Sequence, residues 1–98
     1  MKKLNSKKIL KELEKNKKNI RKYGVKKIGL FGSFAKGKQH RKSDIDFLVE
    51  FNHVNSENFF SLLFLLEKMF KRNIDLVSAK NLRPELNYVK KETKYVKI

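Results

Sequence analysis

Three aspartates in otherwise apolar segments are the residues whose types and spacing indicate chemistry. Asp44 and Asp46 stand two apart in one apolar run, and Asp75 lies within a second run further along the chain. An unpaired carboxylate in a sheet is costly unless it meets a cation or solvent. Mg²⁺ prefers oxygen ligands, and two bridged ions can clamp the attacking and leaving oxygens of a nucleotidyl transfer. Metal ions would therefore explain these carboxylates.

A glycine–serine pair, Gly32-Ser33, lies upstream of the first aspartate. Backbone N–H groups at such a helix start attract phosphate, glycine lets the phosphate come close, and the serine hydroxyl can donate a further hydrogen bond. Lys36 and Lys42 add positive potential around a triphosphate. We therefore predict that these four residues bind a nucleotide beside the metal ligands.

Each part of this pattern has an ordinary explanation when it stands alone. A glycine–serine pair is often only a turn, an Asp-x-Asp pair is often a solvated strand edge, and Asp75 alone would suit the surface. Taken together, the order of the parts along the chain is hard to produce by chance. The pattern indicates an anion-binding turn and a carboxylate cluster at one site.

The elements needed to position these residues can be predicted from periodicity. Apolar residues at helical spacing predict an N-terminal helix over about 6–23, with Asn5 or Ser6 as its cap. A short strand over 25–31 leads into the glycine–serine turn and a polar loop. Residues 44–51 alternate as a second strand, so Asp44 and Asp46 point to the same face.

The second half of the chain predicts a helix and a strand, followed by a further helix. An apolar stripe marks a core helix over about 57–71, which Ser56 can cap. A third strand covers 74–77, and Pro84 suits the first turn of a last helix over about 82–91. The sequence does not decide whether the tail over 93–98 forms a strand or is frayed.

Length and composition favour a single domain over residues 1–98. Forty per cent of the residues are hydrophobic, which is enough for one compact core. Cysteine is absent, which excludes disulfides and thiolate metal sites. The longest apolar run, 59–66, is too short to span a bilayer. We expect a soluble, cytoplasmic protein without a membrane partner.

The formal net charge of +15 raises the possibility of nucleic-acid binding. Most of the excess lies in residues 1–27, and lysine greatly outnumbers arginine. A basic binding surface and a compositional bias of the source explain this pattern equally well. Nucleic acid is therefore a possible but not a favoured partner.

The motifs resemble those of the polymerase-β-type nucleotidyltransferase superfamily. The stretches that carry the resemblance are Gly32 to Gly37 (GSFAKG), Ser43 to Val49 (SDIDFLV) and Ile74 to Val77 (IDLV). It covers a catalytic core over about 25–91, and the short length matches minimal nucleotidyltransferases. This resemblance implies an α+β fold with a small mixed sheet flanked by helices.

The same resemblance implies roles for individual residues. Asp44 and Asp46 would bind two Mg²⁺ ions, and Asp75 would bind the catalytic ion and help to deprotonate an acceptor hydroxyl. ATP would be the nucleotide, with its triphosphate at Ser33. Many members carry arginine where this chain has Lys36, which keeps the charge but lacks the bidentate fork.

Minimal members of the family are commonly antitoxins that add AMP to a tyrosine of a HEPN-type ribonuclease toxin. A chain of this length leaves no space for an acceptor-binding domain, so we expect another polypeptide to supply the acceptor. Two alternatives stay open. One is transfer to RNA or to a small molecule, and the other is a non-catalytic basic module that binds nucleic acid or masks a partner.

Overall fold

The computed structural model describes residues 3–53 and 55–98. The helices and strands follow one another in the order α1 (Ser6–Lys15), α2 (Lys17–Arg21), β1 (Val25–Phe31), α3 (Gly32–Lys36), β2 (Ile45–Phe51), α4 (Ser56–Phe70), β3 (Ile74–Ser78), α5 (Tyr88–Glu92) and β4 (Lys94–Lys97). Two 3-10 turns, Ala79–Asn81 and Pro84–Leu86, connect β3 to α5.

Four strands form one mixed sheet in the order β3-β2-β1-β4. β1 pairs antiparallel with both β2 and β4, whereas β2 and β3 are parallel. The parallel pair requires a crossover connection, and α4 provides it. The predicted α+β fold with a small mixed sheet and flanking helices is confirmed.

The hydrophobic core lies between one face of the sheet and the longer helices. Each fully buried aliphatic side chain contributes about 1.5–3 kcal/mol relative to an exposed one. The helices supply Ile9, Leu13, Ile20, Leu62 and Leu66, and the strands supply Ile28, Leu30, Ile45, Phe47 and Val49. On the opposite face of β2, Asp46 is half-buried and Leu48 is fully buried, so that face is also covered at the middle of the strand.

The prediction of one continuous N-terminal helix over about 6–23 is wrong, because the structure has two helices there. Asn5 caps α1, since its Oδ1 accepts a hydrogen bond from the Lys8 N–H at 2.9 Å. The helix breaks at Asn16, where φ is −103° and ψ is 15°. The Asn16 side-chain amide donates to the Glu12 carbonyl at 2.9 Å. This local bond competes with a regular helix, so α2 begins anew at residue 17.

The last helix, predicted over about 82–91, is also wrong. Arg83 precedes Pro84, and the proline ring disfavours a helical conformation in the residue before it. Arg83 is accordingly extended, with φ −65° and ψ 144°. The helix starts only at Tyr88. The tail, which the sequence left undecided, forms β4 against β1.

The core helix α4 agrees with its prediction apart from its cap. Asn55, rather than Ser56, caps it, because Asn55 Oδ1 accepts a hydrogen bond from the Asn58 N–H at 2.7 Å. The helix ends at Lys71, whose φ of 50° is left-handed. Within residues 3–53 and 55–98, no helix has the length and apolar character needed to cross a membrane.

Candidate active site

Two of the three candidate carboxylates lie directly opposite each other in the sheet. Asp46 of β2 is the register partner of Asp75 of β3. In a parallel pair, residues in register point to the same face, so the two side chains are neighbours. Asp46 is half-buried and Asp75 is exposed on the edge strand.

The surroundings raise the pKa of Asp46 from 3.8 to about 6. Burial is the largest cause, because a desolvated carboxylate favours its neutral form. The charge of Asp75, a hydrogen bond with Asp75 and the charge of Asp44 act in the same direction. The pair thus concentrates negative charge at one point of the sheet.

Gly32 brings the anion-binding turn to this carboxylate pair. Its φ is +73°, and a Cβ built on its backbone would overlap the Asp46 carboxylate. The Asp46 side chain therefore lies against the Gly32 backbone at the start of α3. Glycine is required there for both conformation and space.

The turn itself is fixed by hydrogen bonds at the end of α3. The Lys38 N–H donates to the Ser33 carbonyl at 2.9 Å, and Gly37 closes the helix in a left-handed conformation with φ +70°. The first N–H groups of α3 have no partner within the helix, which suits them to a phosphate. Gly32 and Ser33 thus lie at the start of a helix, and their binding of a triphosphate stays a prediction.

Asp44 lies outside β2 and is exposed. Its charge contributes to the raised pKa of Asp46, so it is close to the pair. Nevertheless, no three Asp, Glu, His or Cys side chains in the described part of the chain are grouped closely enough to hold a metal ion. The structure therefore brings together Asp46 and Asp75, and Asp44 does not complete a three-residue ligand set.

The donor chemistry of the pair fits a divalent cation. Asp46 and Asp75 supply hard oxygen atoms, and their mutual repulsion is relieved when a cation binds. Mg²⁺ in such sites is usually held by one or two carboxylates together with water and substrate phosphates. Asp46 and Asp75 therefore match the carboxylate share of the ligands of one such ion.

The two candidate lysines lie on the surface around this site. Lys36 Nζ is 3.5 Å from a carboxylate oxygen of Glu92 on α5, and both side chains are about half exposed. This ion pair is accessible to solvent and therefore weak, so a phosphate can compete for the lysine. Lys42 is exposed in the loop before β2. Their nucleotide-binding role stays a prediction.

Arg72, which the sequence analysis did not single out, connects three segments of the site. Its Nη1 donates to the Ser43 carbonyl at 2.9 Å, directly before Asp44. Its guanidinium group lies 5.3 Å from the centre of the Phe34 ring, directly after Ser33. The sequence offered one indication of its importance, which is its residue type: Arg72 is one of only four arginines among 25 basic residues.

A cleft of about 890 Å³ lies beside Arg72 and Phe34. Its other lining residues include Gln39, His40 and Arg41 of the loop before β2. None of the candidate carboxylates or nucleotide-binding residues lines it. The cleft is therefore separate from the carboxylate pair, in which Asp46 is half-buried and Asp75 is exposed.

Comparison with known proteins supports an enzymatic interpretation of this geometry. The model of the nucleotidyltransferase domain family matches residues 6–98. The chain belongs to this family. The carboxylate pair and the Gly32 turn both lie inside the matched region. This nucleotidyltransferase is thus an enzyme whose class agrees with the chemistry of its side chains.

Two relatives are similar over most of this nucleotidyltransferase. A proposed protein adenylyltransferase of Methanocaldococcus jannaschii is 45% identical over 83 residues, covering 81% of each chain. The protein adenylyltransferase MntA of Thermococcus cleftensis is 37% identical over 73 residues, covering 72% of this chain and 74% of its own.

A solved structure has the same fold. A chain in a crystal structure of a toxin–antitoxin complex with AMP-PNP superposes with a TM-score of 0.66 at 30% identity. The match covers 94% of this nucleotidyltransferase and 72% of that chain. The similarity therefore extends over nearly all of the fold.

Proposed function

We propose that this protein is a Mg²⁺-dependent protein adenylyltransferase that transfers AMP from ATP to a tyrosine hydroxyl of a HEPN-type ribonuclease toxin. In this role it acts as the antitoxin. The observation that carries the proposal is the register pairing of Asp46 with Asp75 beside Gly32. Similarity to the protein adenylyltransferase MntA and to a chain of a toxin–antitoxin complex supports the acceptor class.

Asp46 and Asp75 are the residues that would hold the first Mg²⁺ ion, and Asp44 would join them at a second. Bound ions supply positive charge that stabilises the pentavalent phosphorus and the leaving pyrophosphate. Asp44 is exposed directly before the strand, and its charge already acts on the carboxyl of Asp46.

The triphosphate of ATP would lie at the start of α3. Gly32 allows close approach of the phosphates, and the backbone N–H groups and the Ser33 hydroxyl donate hydrogen bonds to them. Lys36 would exchange its ion pair with Glu92 for a phosphate oxygen, and Lys42 would add charge from the neighbouring loop.

The acceptor would approach from the open edge of the sheet, where Asp75 is exposed on β3. The tyrosine oxygen attacks the α-phosphorus in line with the leaving group. A bond forms between that oxygen and phosphorus, and the bond from phosphorus to the bridging oxygen of pyrophosphate breaks. Asp75 accepts the phenolic proton. Positioning and charge stabilisation supply most of the rate enhancement.

The direct test is AMP transfer to the protein encoded by the adjacent gene. The two proteins are incubated with ATP and Mg²⁺, and mass spectrometry locates any added AMP. We expect modification of a tyrosine in the partner. Asp46→Asn and Asp75→Asn should each reduce the rate by about 100- to 1,000-fold or more, since each removes a charge from the reacting centre.

Glu50→Gln is the matched control. Glu50 lies on the same strand and face as Asp46 but forms surface ion pairs with Lys26 and Lys27 at 3.9 Å and 3.5 Å. This variant should retain transfer. Unmodified partner in a demonstrably associated wild-type complex would refute the proposal, as would full activity in either aspartate variant.

A further inference from the structure

The outward side of α4 carries an apolar centre that the fold leaves uncovered. Phe60 and Phe64 are one helical turn apart, with 52% and 63% of their surfaces exposed. Leu62 and Leu66, on the opposite side of the helix, are fully buried in the core. The two phenylalanines therefore do not contribute to the core, although each is large enough to dominate an interface.

Charged residues extend this centre into a stripe along the helix. We call the exposed residues Glu57, Phe60, Phe64, Lys68 and Lys71 the α4 stripe. The four residues within α4 are three or four positions apart and therefore share one helical face, and Lys71 follows them as the C-cap residue of the helix. The acidic residue is at the start of the stripe, the aromatic residues lie in the middle, and the basic residues are at the end.

This order of charges is self-complementary when two copies of the helix run antiparallel. Around a two-fold axis near the middle of α4, Phe60 of one copy faces Phe64 of the other. Glu57 then faces Lys68, with Lys71 nearby, at both ends of the contact. Antiparallel helices also oppose their dipoles favourably.

The charge of the whole protein points to the same face. Two copies with a net charge of +15 each repel one another, so the electrostatic repulsion is smallest for a contact through the face with the fewest basic residues. Glu67 lies on the flank of the α4 stripe, and with Glu57 it balances the two lysines. The exposed residues of α1, by contrast, include Lys7, Lys11 and Lys15, which would face like charges in a second copy.

We propose that the α4 stripe is a self-association surface that takes the α4 stripe of a second copy in an antiparallel, two-fold symmetric contact. The helix has 15 residues and is about 22 Å long. Its contact is smaller than a standard protein interface, so the dimer is weak and concentration-dependent. The carboxylate pair lies on the other face of the sheet from α4 and stays open in the dimer.

Sedimentation velocity over a range of concentrations tests the proposal with the whole chain. The wild-type protein should dimerise, whereas Phe60→Ser together with Phe64→Ser should leave a monomer with an unchanged Tm. Tyr88→Ser is the matched control, because Tyr88 is an aromatic residue on α5 that is 55% exposed. That variant should dimerise like the wild type.

A charge exchange tests the orientation of the contact. Glu57→Lys places like charges opposite each other at both ends of the dimer, and so does Lys68→Glu. Each variant alone should dissociate at least tenfold more readily. An equimolar mixture of the two should recover association, because every facing pair then has opposite charges.

Several results would overturn the proposal. They are a wild-type protein that stays monomeric at all concentrations, a dimer that survives loss of both phenylalanines, or a charge-exchange mixture that fails to associate. A monomer whose phenylalanine variants instead lose binding to the adjacent gene product would assign the stripe to that partner. None of these readouts depends on AMP transfer, so this proposal fails or holds independently of the enzymatic one.

Discussion

Gly32 meets two requirements that separate it from the other glycine of the same turn. Its φ of +73° is left-handed, and a Cβ there would overlap the Asp46 carboxylate. Gly37 is also left-handed, with φ +70°, but nothing lies within 4 Å of where its Cβ would be. Substitution of Gly37 would therefore introduce backbone strain alone, whereas substitution of Gly32 would introduce the same strain and a clash with the Asp46 carboxylate.

We predict that Gly32→Ala reduces both stability and AMP transfer, whereas Gly37→Ala reduces only stability. Backbone strain should cost each variant about 1–2 kcal/mol of unfolding free energy. Gly32→Ala should lose more, because Asp46 must also move. Urea denaturation and a transfer assay under saturating ATP measure the two effects. Equal activity in the two variants would contradict the close approach of Gly32 to Asp46.

Asp46 should give the metal-free protein a characteristic dependence of stability on pH. Its pKa is about 6 in the folded protein and 3.8 as the ordinary value. The folded state therefore binds the proton more tightly than the unfolded state, and this stabilisation is complete below about pH 4. It is lost as pH rises to about 6, because ionisation then favours unfolding.

Asp46→Asn removes this titration. In EDTA, the variant should lack the wild-type fall in unfolding free energy attributable to Asp46 between about pH 4 and pH 6. It should also be the more stable protein at pH 7.5, since no charge then opposes Asp75. Denaturant titrations at several pH values provide the measurement. Parallel pH profiles for the two proteins would show that the Asp46 carboxyl is not strained by its surroundings.

At the scale of the elements, Arg72 holds the loop before β2 against α3. It contacts the Ser43 carbonyl and the Phe34 ring, which adjoin Asp44 and Ser33. The side chain of Ser43 also accepts a hydrogen bond from the His40 N–H at 2.9 Å. The position of the candidate metal and phosphate ligands thus depends on a residue that touches neither.

We predict that Arg72→Ala lowers kcat for AMP transfer by about tenfold or more while secondary structure is retained, because misplacement of supporting groups is costly to catalysis. Arg72→Lys should recover the activity in part, since lysine keeps the charge but not the planar contact with Phe34. Arg83→Ala, at an exposed arginine, is the control. Steady-state kinetics and circular dichroism would reveal a failure if Arg72→Ala proved fully active.

The sequence predicted the elements whose pattern is local. Alternation identified β2, the apolar stripe identified α4, and the motif placed Gly32 beside the carboxylates. Two helices were wrong because single residues overrode periodicity: Asn16 bonds to its own helix, and Pro84 restricts the residue before it. The Asn16 side chain competes with the regular helix through a hydrogen bond to the backbone, and the spacing of apolar residues gives no indication of such a bond.

Tertiary contacts were the part that the sequence could not supply. The pairing of Arg72 with Ser43 spans 29 positions and leaves no periodic signal. The raised pKa of Asp46 likewise depends on burial and on Asp75 across the sheet. The exposure of Phe60 and Phe64 needed no tertiary information, because helical periodicity already leaves both residues outside the buried stripe of α4.

At the scale of the whole molecule, the surplus of basic residues is largest on the N-terminal helices. Lys7, Lys11 and Lys18 are exposed there. Exposed lysines attract phosphate backbones without sequence preference, and such binding weakens with salt. We regard any RNA binding as a property of this surface, distinct from the carboxylate pair.

This separation gives a prediction. Replacing Lys7, Lys11 and Lys18 with glutamine should reduce the slope of log affinity for single-stranded RNA against log salt by about two, and should leave AMP transfer unchanged. Asp46→Asn should have the opposite profile. Fluorescence anisotropy with a labelled oligonucleotide and the transfer assay measure both. Loss of transfer in the lysine variant would tie the basic surface to catalysis.

The register of β2 against β3 couples the packing of the core to the assembly of the carboxylate pair. A slip of one residue would turn Asp46 toward the core and Phe47 toward solvent. The packing of the apolar residues in the core therefore also sets the register that places Asp46 beside Asp75. A chain in the shifted register would bury a carboxylate and remove a phenylalanine from the core, so the sheet disfavours an arrangement that is folded but lacks the carboxylate pair.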